Sequence, residues 1–215
     1  MFVRDRMTAN PVTVTPDTPF DHALRLMQER QVRRFPVVDR QGLVIGIVSE
    51  KDVLNTAPSK ATMLDRHELH ALLAQLQVSN VMTRSPIMVD PGLPLEEAAR
   101  IMADNKIGGL PVVDATKTLV GIITETDIFR TMVELMGARR SGLRLTIRVE
   151  DHRGALAELT SAIAQQGGNI LTLGVFQGED QTHPVITTKV QDVEEASLVD
   201  ALRAAGMELI DVRKV

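Results

Sequence analysis

Gly46-Ile47-Val48-Ser49-Glu50-Lys51-Asp52 returns 75 residues later as Gly121-Ile122-Ile123-Thr124-Glu125-Thr126-Asp127. Each copy reads as a short buried strand running into a helix start, with a hydroxyl three residues ahead of a carboxylate. Working outward, Val3–Asn55 aligns on Val78–Arg130 without a gap and with 18 identities in 53 positions. Met7-Thr8 falls on Met82-Thr83, Pro11 on Pro86, Pro16 on Pro91, and Pro36-Val37-Val38-Asp39 on Pro111-Val112-Val113-Asp114. Chance similarity does not hold prolines, glycine and acids in one register, so the first 130 or so residues are two copies of one fold unit.

Each unit reads as β-α-β-β-α. Val12-Thr13-Val14 and Ile87-Met88-Val89 are short extended stretches. Phe20, Ala23, Leu24 and Met27 make one apolar helix face, as do Leu95, Ala98, Ala99 and Met102. Thr18-Pro19-Phe20-Asp21 predicts a Thr18 N-cap with proline at the first helical position. In the second copy Leu93 replaces Thr18, which predicts a poorer cap. Phe35–Asp39 and Val44–Val48 form a hairpin turning at Gly42. Lys117 stands at the equivalent place, so the two turns are expected to differ. One unit of this size buries little alone, which predicts two units packed as a pseudo-twofold pair.

The expected organisation is a first unit over 1–60, a linker helix over 61–77, a second unit over 78–136, and a separate domain over 143–215. Gly137-Ala138-Arg139-Arg140-Ser141-Gly142 is the expected boundary. Beyond it, Leu143–Val149 alternates strictly as a half-buried strand. A helix with Leu156, Leu159 and Ile163 inward, strands over Ile170–Phe176 and Pro184–Val190, a helix over Glu194–Ala205 and a strand over Glu208–Arg213 complete a ferredoxin-like βαββαβ order. The fold class is thus α/β followed by α+β.

Net charge is -4 and neither Trp nor Tyr occurs. A basic field or stacking platforms for nucleic acid are therefore not expected. The absence of cysteine excludes disulfides and thiolate chemistry. Charges interrupt the first residues where a signal peptide needs its apolar run, and no stretch is apolar enough to span a bilayer. The expectation is a cytoplasmic protein without a membrane partner. His67 and His70 lie three apart on the linker segment, but a solvated helix face explains them better than half a metal site. No Walker A, Gly-x-Ser-x-Gly, zincin or dinucleotide fingerprint occurs. Neither a catalytic constellation nor a metal site is expected.

The Ser49/Asp52 and Thr124/Asp127 pairs have two compatible readings. As capping boxes they satisfy orphan backbone donors. As ligand groups, a carboxylate at a helix start accepts both hydroxyls of a ribose, and the hydroxyl and helix N-terminus meet phosphate. Arg33-Arg34 precedes the first Pro-Val-Val strand where Gly108-Gly109 precedes the second. This reads as a phosphate clamp in copy one and close backbone approach in copy two, or as a solvated pair. Asp151-His152-Arg153-Gly154 and Gly168-Asn169-Ile170 are a βα loop and a helix stop, with exposed amides suited to a small carboxylate.

The two Met-Thr…Pro-Val-Val-Asp…Gly-Ile-Val-Ser-Glu-Lys-Asp units resemble tandem CBS domains, the Bateman module. By that resemblance Asp52, Asp127, Ser49 and Thr124 hold the ribose and phosphate of an adenosyl ligand, and Val32, Arg33, Arg34, Ile107 and Gly108 line the cleft. The implied ligand is AMP, ADP, ATP or S-adenosylmethionine. Residues 143–215 resemble an ACT domain, implying an effector site for an amino acid around Asp151, Gly154, Asn169 and Ile170, or a dimerisation module within a homodimer. Arg153 departs from the family's usual proline. The order CBS–CBS–ACT, with Leu-Met-Gly-Ala at the junction, is similar to the acetoin-utilisation protein B group. The implied function is a non-catalytic, nucleotide-binding regulatory sensor acting on a further protein. The competing readings are a ligand-free adaptor and an unrecognised enzyme of acetoin catabolism.

Overall fold

Phe20, Ala23 and Met27 are buried along one face of helix α1 (Phe20–Glu29), and Leu95, Ala98 and Met102 repeat that face in the second copy. The structure, a computed structural model, describes residues 1–52, 76–177 and 183–215. Most of the expected linker helix, with His67 and His70, lies outside the described residues. The chain divides into two compact units, Met1–Phe129 and Arg130–Val215.

In the first unit, strands β2 (Arg34–Val38) and β3 (Val44–Ser49) form an antiparallel hairpin. Its equivalent pairs β5 (Gly109–Val113) with β6 (Leu119–Thr124). The short strand ahead of each repeat does not join its own sheet. Strand β1 (Thr8–Ala9) pairs with β6, Thr8 opposite Ile122, while β4 (Thr83–Arg84) pairs with β3, Thr83 opposite Ile47. Every partner in one pairing is the 75-residue equivalent of its partner in the other, so the exchange is reciprocal and the repeats are related by a pseudo-twofold. The bridge between Leu43 and Thr118, themselves equivalent positions, lies on that axis.

The exchange extends to the cores. Val78 and Met82, ahead of repeat two, are buried with Phe20, Phe35 and Val48 of repeat one. Val3 is buried with Leu110, Val112 and Ile123 of repeat two, and Met7 packs against that cluster. The glycine of the opening stretch makes room for this. A Cβ on Gly46 would lie 2.5 Å from the Met82 sulfur, and one on Gly121 would meet the Met7 sulfur in the same way.

Thr18 does not cap α1. The helix starts after Pro19 with no side-chain cap. The Thr18 hydroxyl faces backwards, accepting the Thr15 amide at 3.0 Å and lying 3.1 Å from the Thr15 hydroxyl. Pro94 takes the same place before the second helix, also without a side-chain cap. The two starts are equivalent, which corrects the expected difference between copies.

The turns also agree. Gly42 has φ +82° and Lys117 φ +64°. Two further pairs of equivalent non-glycine residues, Asn10 with Ser85 and Gln31 with Lys106, share positive φ. Only glycine takes this conformation without steric cost. Exposed Lys117→Gly is therefore expected to stabilise the protein by about 1 kcal/mol, read as a raised urea midpoint.

The second unit orders its sheet β10-β7-β9-β8, from β7 (Leu143–Arg148), β8 (Asn169–Phe176), β9 (Val185–Gln191) and β10 (Glu208–Lys214). Helices over Ala155–Gln165 and Glu195–Ala204 bury Leu159, Ile163, Leu198 and Leu202 against Leu145, Ile147, Ile186 and Val190, whereas Leu156, expected inward, is exposed because it falls in the first turn, outside the part of the helix that Leu159 and Ile163 bury. This is the ferredoxin-like arrangement that the alternation predicts.

Candidate functional site: the two hydroxyl–acid helix starts

Antiparallel pairing brings together residues that are distant in sequence. Arg34 is register-paired with Ser49, and Gly109 with Thr124. The Glu50 amide donates to the Arg33 carbonyl at 3.0 Å, and the Glu125 amide to Gly108 at 3.1 Å. In both repeats the segment entering the Pro-Val-Val strand therefore borders the helix that leaves the hairpin.

At each helix start the acid closes back on the hydroxyl residue. Asp52 Oδ2 accepts the Ser49 amide at 2.6 Å and the Ser49 hydroxyl at 2.9 Å. Asp127 Oδ2 accepts the Thr124 amide at 2.9 Å and the Thr124 hydroxyl at 2.7 Å. The capping reading is thus realised in both copies. An ionised carboxylate offers about four lone-pair sites, so capping and ligand binding are chemically compatible roles. All four side chains are half-buried, reachable yet positioned.

Val32 and Ile107 begin the segments that enter the strands. Their amides donate to the Met27 and Met102 carbonyls at 2.9 and 3.0 Å, after Gln31 and Lys106 in left-handed conformation end the helices. Val32 is 40% exposed, whereas Ile107 packs on the second core. Arg33 is exposed.

Arg34 and the glycine pair are not features of separate copies. The Arg34 guanidinium lies over Gly108-Gly109. A Cβ on Gly108 would sit 2.5 Å from Arg34 Nη2 and 2.7 Å from Glu125 Oε2. Burial lowers the pKa of the half-buried guanidinium, the Glu125 charge opposes that shift and the Arg33 charge adds to it. The glycines leave space for an arginine of the other repeat, a relation invisible while each copy is read by itself.

The expected effector residues of the second unit are not brought together within one copy. The loop holding Asp151 and Gly154 follows Arg148, which pairs with Val185 at one end of β9. Asn169 and Ile170 pair with Gln191 and Val190 at the other end. Five residues of strand, about 17 Å, separate them.

Sequence reasoning missed Lys189. It is 4% exposed, and its ammonium donates to the Gly137 and Arg140 carbonyls, each at 2.8 Å. Its signal was a lysine within a β-branched strand, with no sequence clue to its partners. Among the described residues no group of three or more His, Asp or Glu could hold a metal ion, and no helix is long and apolar enough to cross a membrane.

The CBS domain family model matches residues 3–58 and 78–134, and the TTHA0829-like ACT domain model matches residues 141–213. Among solved structures, CBSX2 in complex with AMP is 33% identical with a TM-score of 0.52, the match covering 62% of this chain and 97% of that one. CBSX2 is a protein of Arabidopsis thaliana. A Vibrio cholerae protein named for acetoin utilization (AcuB) is 32% identical with a TM-score of 0.53, over 65% of this chain and 95% of its own. The CBS domain pair of protein MJ0100, in complex with 5′-methylthioadenosine and S-adenosyl-L-methionine, is 25% identical with a TM-score of 0.51, over 65% and 98%. The chain belongs to the CBS-domain family and carries a tandem CBS pair followed by a TTHA0829-like ACT domain.

Proposed function

We propose that the chain is a non-catalytic regulatory sensor whose CBS pair binds an adenine nucleotide or related adenosyl ligand at the Ser49–Asp52 and Thr124–Asp127 helix starts. The observation that carries this reading is the duplicated geometry. In both repeats a half-buried carboxylate takes the amide and hydroxyl of the residue three before it, beside the segment entering the Pro-Val-Val strand. Aspartate at a helix start suits a ribose diol, and the helix N-terminus suits phosphate. Complexes of CBSX2 with AMP and of MJ0100 with S-adenosylmethionine support the ligand class. Val32 and Ile107 offer aliphatic surface to the base.

Ligand binding regulates only through unequal affinity for two states of the protein. In this reading a further protein responds to that difference, and the ACT domain serves assembly of a homodimer. Leu173 and Val175 offer exposed apolar surface on the edge strand β8 for such a contact.

Calorimetry of the purified chain with AMP, ADP, ATP and S-adenosylmethionine tests the proposal. Saturable binding is expected for at least one. A ligand at a hundred times its Kd stabilises the folded state by about 2.7 kcal/mol, which a thermal scan resolves. The chain lacks Trp and Tyr, so nucleotide retained through purification would dominate its near-ultraviolet absorption. A clean spectrum with neither heat nor thermal shift for any ligand favours the adaptor, and turnover of acetoin-pathway substrates by pure protein establishes the enzyme.

A further inference from the structure

The helix Glu125–Leu135 is anchored at its two ends more than along its flank. Its 11 residues fully bury only Thr131, and Phe129, Met132, Val133 and Leu135 are exposed. The helices Phe20–Glu29 and Leu95–Asn105 each bury three side chains, large apolar ones among them. A helix shorter than about 12 residues is marginal in water without tertiary packing. At the start of Glu125–Leu135, Asp127 closes on the amide and hydroxyl of Thr124. Past its end, the Lys189 ammonium takes the Gly137 and Arg140 carbonyls, and the Gln191 side-chain amide donates to the Ser141 carbonyl at 2.8 Å. Gly142 and Val215 exchange two backbone bonds, at 2.9 and 3.0 Å. The segment that ends the helix is thus stitched to β9 and to Val215. The boundary between the two compact units, Phe129 to Arg130, falls inside this helix.

We propose that Lys189 couples occupancy of the Thr124–Asp127 helix start to the second unit, through the stability of this one helix. The inference rests on the sensor reading above and assigns a route of regulation to one of its two sites. An adenosyl ligand whose ribose hydroxyls donate to Asp127 needs that carboxylate in its place in the first turn, so it binds the wound helix. Lys189 also favours the wound helix, because a frayed last turn moves the Gly137 carbonyl off the ammonium. Helix winding is cooperative. Across about 16 Å the two anchors therefore bias one equilibrium, between a wound and a frayed helix. Two groups that favour the same state strengthen each other, and the effect on binding is reciprocal. Little lateral packing along the helix holds it wound when either anchor is lost.

The test is calorimetry of the full chain with AMP and S-adenosylmethionine as probes, in an Asp52→Ala background that leaves the second helix start as the reporting site. Lys189→Met removes the anchor from the side of β9. Gly137→Ala strains the same helix end from its own side, at φ +58° and against Thr172, and serves where Lys189→Met folds poorly. Each is expected to weaken the bound probe about fivefold, the lower end of coupling between linked sites. Leu202→Ala is the control. It opens a cavity in the same unit, from the helix-covered face of the sheet, and is expected to leave affinity within about twofold, as for distant independent sites. Saturating probe is also expected to slow amide exchange at Gly137 and Ala138, whose amides close the helix end. Affinity unchanged by both Lys189→Met and Gly137→Ala, an equal loss in Leu202→Ala, or exchange at Gly137 and Ala138 that ignores the probe overturns the inference alone. So does an Asp52→Ala chain that binds neither probe when wild type binds one. Wild-type protein that binds neither probe overturns the sensor reading and the inference with it.

Discussion

If the second helix start binds AMP as proposed, Asp127→Ala is expected to lower that affinity by roughly 10- to 150-fold, the range spanned by losing a hydrogen bond to a charged group. The same change removes the acceptor of the Thr124 amide and hydroxyl. It should therefore also cost about 1 kcal/mol of stability, as a lost cap does. Asp127→Asn separates the two effects. Its side-chain oxygen still accepts the amide, so the melting temperature stays close to wild type, but the charge that strengthens bonds from ribose hydroxyls is gone. Calorimetry and a thermal scan on both variants decide between the roles. If Asp127→Asn binds AMP as wild type does, the carboxylate is a cap and the ribose assignment fails. Asp52→Ala is expected to behave likewise at the first cleft, where the bonds to Ser49 have the same pattern.

Lys189→Met is expected to destabilise the second unit by about 3 kcal/mol, the order for two charge-assisted bonds of which part is returned to water. Methionine keeps the aliphatic stem, so the loss isolates the ammonium. The carbonyls it holds, Gly137 and Arg140, belong to the segment that leaves the helix Glu125–Leu135. There the Gly137 amide bonds back to Glu134 and the Ala138 amide to Val133. A cation at a helix C-terminus also meets the negative end of the helix dipole. Gly137 is constrained twice, by φ +58° and by Thr172, whose methyl carbon would lie 2.8 Å from an added Cβ. Urea denaturation of the full chain followed by amide exchange in β9 measures the effect. A loss below about 1 kcal/mol would match a lysine whose carbonyl partners rehydrate freely.

Much of this architecture was legible in the sequence because two strong periodicities carry it. The 75-residue repeat exposed both hairpins and both hydroxyl–acid pairs, and the alternation from Leu143 exposed the ferredoxin-like unit. What stayed hidden depends on contacts without local signature. β1 and β4 are two residues each, too short for any period, so nothing in Thr8-Ala9 announced that its partner is Ile122-Gly121. Thr18-Pro19-Phe20-Asp21 has cap chemistry, but Thr18 spends its hydroxyl on Thr15 instead. Sequence proximity groups Arg34 with its own repeat, because it carries no information about a crossing at a pseudo-twofold. For the expected ACT effector residues the sequence holds no register, and strand pairing sets the loop of Asp151 and Gly154 towards one end of β9 and Asn169 and Ile170 at the other.

The exchanged strands also set an order of events during synthesis. Val3, Met7 and the pair Thr8-Ala9 leave the ribosome more than 100 residues before Ile122, yet their places are beside Ile122 and in the core of repeat two. Repeat one likewise waits for Val78, Met82 and Thr83. Neither repeat can close its sheet as a nascent fragment, and loop-closure entropy must be met before these distant contacts return any stabilisation. The pair is therefore one cooperative folding unit despite its doubled sequence, and the early hairpin β2–β3 must persist with one edge open until the second copy supplies its missing strand.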